Sequence, residues 1–221
     1  MGFLYSPLPL WVALGGWIVA AVALGWVLWR KPFLKLNTDG LQHLWLSTVV
    51  TLSVLWAFDL WVQDGAVLHL LGATLLVTLF GWRLALIGSC VVIALVALIL
   101  GTPWQGVGMT MLALGIIPVL VSALMQTLMA KIFPDKRMPF VLGHGVVTSI
   151  IAVLASSGSV LSGHLLLRDV SWQMVDVSFF TDMLVLATGE AVFTGAMTAI
   201  IAVYKPAWMK TFDKRLNRID R

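Results

Sequence analysis

The sequence predicts an all-α, polytopic integral membrane protein of about seven transmembrane helices, its N-terminus outside and its C-terminus in the cytoplasm. Three observations carry this expectation. Of the 221 residues, 60% are hydrophobic and only 11% charged, with a mean hydropathy of +0.99, whereas soluble domains carry roughly a quarter charged residues. The apolar residues fall in runs close to the ~20 that a 30 Å hydrocarbon layer requires at 1.5 Å rise per residue. The basic residues collect in alternate connections between those runs.

The first run, Pro9–Trp29, follows the start MGFLYSPLPLW, which places no basic segment ahead of it. It therefore reads as a retained helix rather than a cleaved signal. The second run is Leu41–Val62 and the third Leu68–Gly81. The third is short, and Gly81-Trp82-Arg83 turns tightly into the fourth, Leu84–Gly101. These two helices are expected to tilt, or one of them to stop short of a full crossing. Val107–Ala130, Phe140–Leu166 and Thr181–Tyr204 complete the seven. With the N-terminus outside, thirteen of the fourteen lysines and arginines lie on the inner side, and Arg168 alone lies outside. Adding or removing one span scrambles that split, so it supports the count as well as the direction. Trp11, Trp29, Trp61, Trp82, Trp104 and Trp208 stand at run ends, as interfacial belts require.

The whole chain, residues 1–221, reads as one transmembrane domain in a bacterial plasma (inner) membrane. Residues 205–221 form a basic cytoplasmic tail suited to anionic lipid or to a cytoplasmic partner. The net charge of +4 and pI near 9.5 do not indicate a nucleic-acid partner, because the basic residues are dispersed between apolar runs. The one cysteine, Cys90, lies inside an apolar run and reads as a small core residue. No HExxH, GxSxG or Walker A motif is present, so the chain is not read as an enzyme, and any ATP-driven step falls to another chain.

Ionisable groups inside a bilayer cost several kcal/mol unless paired or wetted, so each is a functional candidate. On this topology Asp59 and Asp64 lie at the outer end of the second helix, and His69 opens the third. His164 lies near the outer end of the sixth, Asp182 begins the seventh, and Glu190 sits about two turns deeper. With the Met1 amine, the outer face collects carboxylates, imidazoles and an amine, a donor set that favours nickel, cobalt, copper or zinc over magnesium. Asp182 also suits plain contact with water, and Glu190 a structural or coupling role. His43 and His144 fall toward the inner ends. His144, between Gly143 and Gly145, reads as a packing or partner contact.

Three segments carry a family resemblance. Leu68-His69-Leu70-Leu71-Gly72-Ala73 resembles the Gly-His-Leu-Leu-Gly-Gly motif of the cobalt and nickel substrate-capture permeases of energy-coupling-factor transporters, the CbiM/NikM group. Gly189-Glu190-Ala191-Val192-Phe193-Thr194 is similar to their last-helix Gly-Glu-Ala motif. Gly2-Phe3-Leu4-Tyr5-Ser6-Pro7 resembles the later part of their Met-His-Ile-Pro-Asp-Gly-Phe-Leu-Ser-Pro start. The three occur in the family's order across nearly the whole chain. The resemblance implies a membrane subunit that captures a divalent metal outside and works with a transmembrane coupling protein and cytoplasmic ATPases. The metal is then the transported cargo, no cofactor being tightly bound.

It also implies His69 as the best ligand, with the Met1 amine; the reading of the outer-face residues adds Asp59, Asp64 and His164 to complete the site. The sequence departs from the family at the start, where the Met-His-Ile-Pro-Asp stretch is missing and residue 2 is glycine, and at Leu68, where the family has glycine. Asp59 and Asp64 replace more neutral residues. The departures leave two alternatives: a site rebuilt around Asp59, Asp64 or His164, or metal binding lost. A membrane assembly or metallation partner that transports nothing, and a capture subunit for a small vitamin, are the other functions to weigh.

Overall fold

The computed structural model describes residues 2–6, 8–35, 40–61, 71–132, 141–167, 177–205 and 208, without the side chains of residues 34, 35, 59–61 and 178. Every regular element among them is helical. In chain order these are α1 (Leu10–Trp29), α2 (Leu41–Trp61), α3 (Ala73–Phe80), α4 (Trp82–Leu100), α5 (Trp104–Ile132), α6 (Val141–Leu166) and α7 (Val177–Tyr204). The seven expected helices are present, and six of them are long and apolar enough to cross a membrane.

The exception is α3. Its eight residues span only about 12 Å, less than half the hydrocarbon thickness. The helix cannot extend backward because Gly72 holds φ +67°, a left-handed conformation that interrupts the α-helical hydrogen-bond ladder. All eight of its side chains are buried, so this short helix is an interior element walled off from lipid by its neighbours.

Its depth follows from its contacts. The Trp45 indole N–H donates to the Leu84 carbonyl at 3.2 Å, joining the start of α2 to the start of α4. Those two helices therefore run in the same direction, and the chain between them returns across the bundle. A side chain on Gly72 would meet Leu52, halfway along α2. Gly72 also meets Glu190, the fourteenth of the 28 residues of α7. Thus α3 begins at mid-depth and ends at the Gly81–Trp82 turn.

Lipid offers helices no hydrophobic drive to associate, so close contact of small residues and buried polar bonds must hold the bundle. At the crossing of α1 and α5, a Cβ on Gly16 would stand 2.7 Å from the Met109 nitrogen, and one on Gly108 2.6 Å from the Trp17 nitrogen. The same crossing is fastened by the Trp17 indole N–H donating to the Trp104 carbonyl at 3.0 Å. Between α6 and α7, a Cβ on Gly145 would lie 3.1 Å from the Gly195 Cα. Within α5, Pro118 has no N–H to give, and its ring crowds the Leu114 carbonyl. The wider π-helical turn at Met111–Ile116 precedes it and absorbs that conflict. Ser156 of α6 then donates to the Ala113 carbonyl at 2.9 Å.

The outward faces match a lipid solvent. On α1, Trp11, Ile18, Val22 and Trp29 are exposed, as are Leu98, Ile99 and Val192 elsewhere. At the end of the bundle bearing the Gly81–Trp82 turn, Trp26 stacks on Trp82 with centroids 5.6 Å apart. The guanidinium of Arg30 lies 5.9 Å from the Trp26 ring, and that of Arg83 lies 5.3 Å from the Trp82 ring. Amphipathic rings beside cations are what a membrane–water boundary selects.

Candidate metal centre

The N-terminal segment is folded into the opposite end of the bundle. The Phe3 N–H donates to Thr110 Oγ1 at 3.0 Å, and that hydroxyl donates in turn to the Gly106 carbonyl at 2.8 Å. The Ser6 N–H closes a turn on the Phe3 carbonyl at 3.2 Å. Phe3 is 0% exposed. Its carbonyl lies against Gly106 and its ring against Gly163, so a side chain at either glycine would evict the segment. Gly2 has φ +53°, and a Cβ there would meet Thr110 Cγ2 at 2.9 Å. Glycine at position 2 is thus matched to this backbone, whereas a histidine would be strained.

His164 reaches the same segment from the end of α6. Its Nε2 lies 3.2 Å from the Gly2 carbonyl, and its ring stacks on Phe3 with centroids 4.6 Å apart and planes at 27°. A carbonyl only accepts, so Nε2 carries the proton in this contact. While the segment is docked, His164 acts as a clamp on the main chain.

Of the residues the sequence singled out, the structure therefore brings His164 and the N-terminal segment together. Met1, Asp64 and His69 lie outside the described residues. Asp59 belongs to the last turn of α2, but its side chain is also outside them. Asp182 is exposed on α7, and His43 is exposed near the start of α2. His144 is buried in the π-helical segment Val141–Val147, toward the other end of the bundle. Cys90 is buried in the apolar core, as read. No three His, Cys, Asp or Glu side chains converge among the described residues. Of the basic tail, only Lys205 and Trp208 are described, the ammonium lying 5.8 Å from the ring centroid.

Glu190 occupies the middle of the bundle, 2% exposed. Its Oε1 accepts the Gly72 N–H at 2.9 Å and the Thr194 hydroxyl at 3.3 Å. Its Oε2 has no hydrogen-bond partner among the described residues. On the other side of α3, Thr74 Oγ1 lies 2.8 Å from Ser122 Oγ. Gln126 donates to Thr78 Oγ1 at 2.7 Å, and Thr78 donates to the Thr74 carbonyl at 2.8 Å. Sequence reasoning missed this ladder, although its signal is present: Thr74 with Thr78 and Ser122 with Gln126 are polar pairs four apart inside apolar runs.

Taken together, the six spanning helices and the inserted N-terminal segment define a multi-pass membrane protein whose N-terminal segment is packed into one end of the bundle. The family model described as "Cobalt uptake substrate-specific transmembrane region", CbiM, matches residues 6–208. The chain belongs to the CbiM family and is a membrane component of a cobalt-uptake type, a transport permease rather than an enzyme by family. Neither the curated proteins nor the solved structures return a significant match.

Proposed function

We propose that this chain is the cargo-capture subunit for uptake of a divalent transition metal of the cobalt or nickel kind, working within an energy-coupling-factor type transporter. On this reading the N-terminus is outside and the metal is taken up at the end of the bundle where the N-terminal segment docks. His69 is its central ligand, supported by the Met1 amine, Asp59 and Asp64. His164 holds the segment through the Gly2 carbonyl and stands next to the site. The opposite end, with the Trp26–Trp82 and Arg30–Arg83 cluster, faces the cytoplasm, where a coupling protein and ATPases dock.

The observation that carries the reading is the burial of the N-terminal segment against Thr110 and His164. A polar main-chain segment is seldom inserted among apolar helices for packing alone, because each backbone group must find a partner there. The family membership supplies the cobalt class.

Calorimetric titration of the purified protein with Co(II), Ni(II), Cu(II) and Zn(II) tests it, with His69→Ala beside the wild type. Saturable heat with cobalt or nickel that disappears in His69→Ala is expected. Absence of heat with all four metals would refute metal capture and favour an assembly role, while unchanged binding in the variant would remove His69 from the site.

A further inference from the structure

A helix that starts in mid-membrane has a problem that a helix starting in water does not. Its first N–H groups have no intrahelical partners, and no water is at hand to take them. Gly72, the N-cap of α3, has no side chain with which to cap the helix. The acceptor comes instead from α7, 118 residues away: Glu190 Oε1, at 2.9 Å from the Gly72 nitrogen. A carboxylate at this position also opposes the positive end of the helix dipole. Thr194, one turn along α7, fixes the same oxygen at 3.3 Å.

The register makes this cap more than a stabilising contact. Gly72 is the N-cap of α3, and His69 lies three residues before it in the sequence. Whatever fixes Gly72 fixes one end of the stretch that carries His69. The other face of α3 is pinned to α5 by Thr74–Ser122 and Thr78–Gln126, so the Glu190 contact completes a frame around this end of the stretch.

We propose that Glu190 is a positioning residue for cargo capture: by accepting the Gly72 N–H it caps α3 and fixes the chain three residues after His69, tying α7 to the site. The proposal rests on the reading of His69 as a ligand.

The test compares wild type, Glu190→Ala, Glu190→Gln and Thr194→Val, each solubilised as the full chain. The first readout is metal-free amide exchange across residues 71–76. Exchange there is expected to rise about tenfold or more in Glu190→Ala, with α4 and α5 unchanged, as loss of a buried N–H acceptor implies. Glu190→Gln, whose amide oxygen can accept the same N–H, restores most of the protection, and Thr194→Val falls between. The second readout is the affinity and visible d–d spectrum of bound Co(II). Glu190→Ala is expected to weaken cobalt about tenfold and to shift the spectrum, with Glu190→Gln recovering both.

Unchanged exchange in Glu190→Ala would overturn the cap. Raised exchange with wild-type cobalt affinity and spectrum would overturn the positioning role, leaving a purely structural contact. A glutamine variant as damaged as the alanine one would also overturn it, since an acceptor alone should suffice. If Glu190→Ala does not fold, Glu190→Gln and Thr194→Val decide by the same criteria. Failure of the capture reading looks different: the wild type itself would give no cobalt signal.

Discussion

Phe3→Ala is the most direct probe of the docked N-terminal segment. The ring is fully buried, lies against Gly163 and stacks on His164 at 4.6 Å. Truncation leaves a cavity of roughly 100 Å³, which at about 24 cal/mol per Å³ costs about 2.4 kcal/mol. Loss of the ring stack adds about 0.5–1 kcal/mol. Docking of the segment should therefore weaken by about 3 kcal/mol, equivalent to roughly a 150-fold rise in the undocked population. Removal of residues by an aminopeptidase reads that population when opening and closing are fast relative to cleavage. The expected outcome is trimming about two orders of magnitude faster in Phe3→Ala, together with weaker cobalt binding. Phe3→Leu, which refills most of the volume, should lie much closer to wild type. Equal trimming rates in wild type and Phe3→Ala would refute the idea that this ring anchors the segment.

Other substitutions test the remaining parts of the argument. Gly108→Ala should lower the melting temperature in detergent, because its Cβ would press on the Trp17 backbone nitrogen, an overpacking cost of about 1–3 kcal/mol. Gly15→Ala, with nothing within 4 Å of its Cβ, should change it by less than about 0.5 kcal/mol. A Gln126→Leu and Thr78→Val double-mutant cycle should return a coupling of about 0.5–1.7 kcal/mol, the range of hydrogen bonds between membrane helices. Zero coupling would remove that bond from the forces locating α3. Extending the chain ahead of Met1 by a short Gly-Ser peptide should abolish high-affinity cobalt binding, and calorimetry showing full affinity would rule out the Met1 amine as a ligand.

The spanning helices were legible because hydrocarbon imposes a length, and six apolar runs met it. The break at Gly72 was not. Leu70-Leu71-Gly72-Ala73 is apolar throughout, and a left-handed φ leaves no trace in hydropathy. Hence α3 was read from Leu68, though its shortness was foreseen. Glu190 was legible as an anomaly, an acid too deep for water, but its partner was not, since a main-chain N–H carries no residue signature. The same holds for Phe3 and Thr110, joined by a backbone donor across 107 positions. His164 was flagged for standing at a helix end, and the structure gives the reason it matters: it reaches the Gly2 carbonyl.

These hidden contacts share a physical cause that bears on mechanism. In lipid an apolar face packs equally well against tails or against another helix, so apolar pattern places helices in the membrane without fixing them against one another. Directional bonds must do that. In this chain such bonds join α1 to α5 and α2 to α4, and others fix the docked N-terminal segment and the short helix α3. One is fixed through Thr110 and His164, the other through Glu190, Ser122 and Gln126. His69 lies three residues before the N-cap of the second in the sequence. A capture site needs such restraint, because a ligand geometry loose by about 1 Å forfeits much of its affinity. On the proposed reading both restraints bear on the capture site, one through the docked segment and the other through the start of α3, three residues after His69 in the sequence.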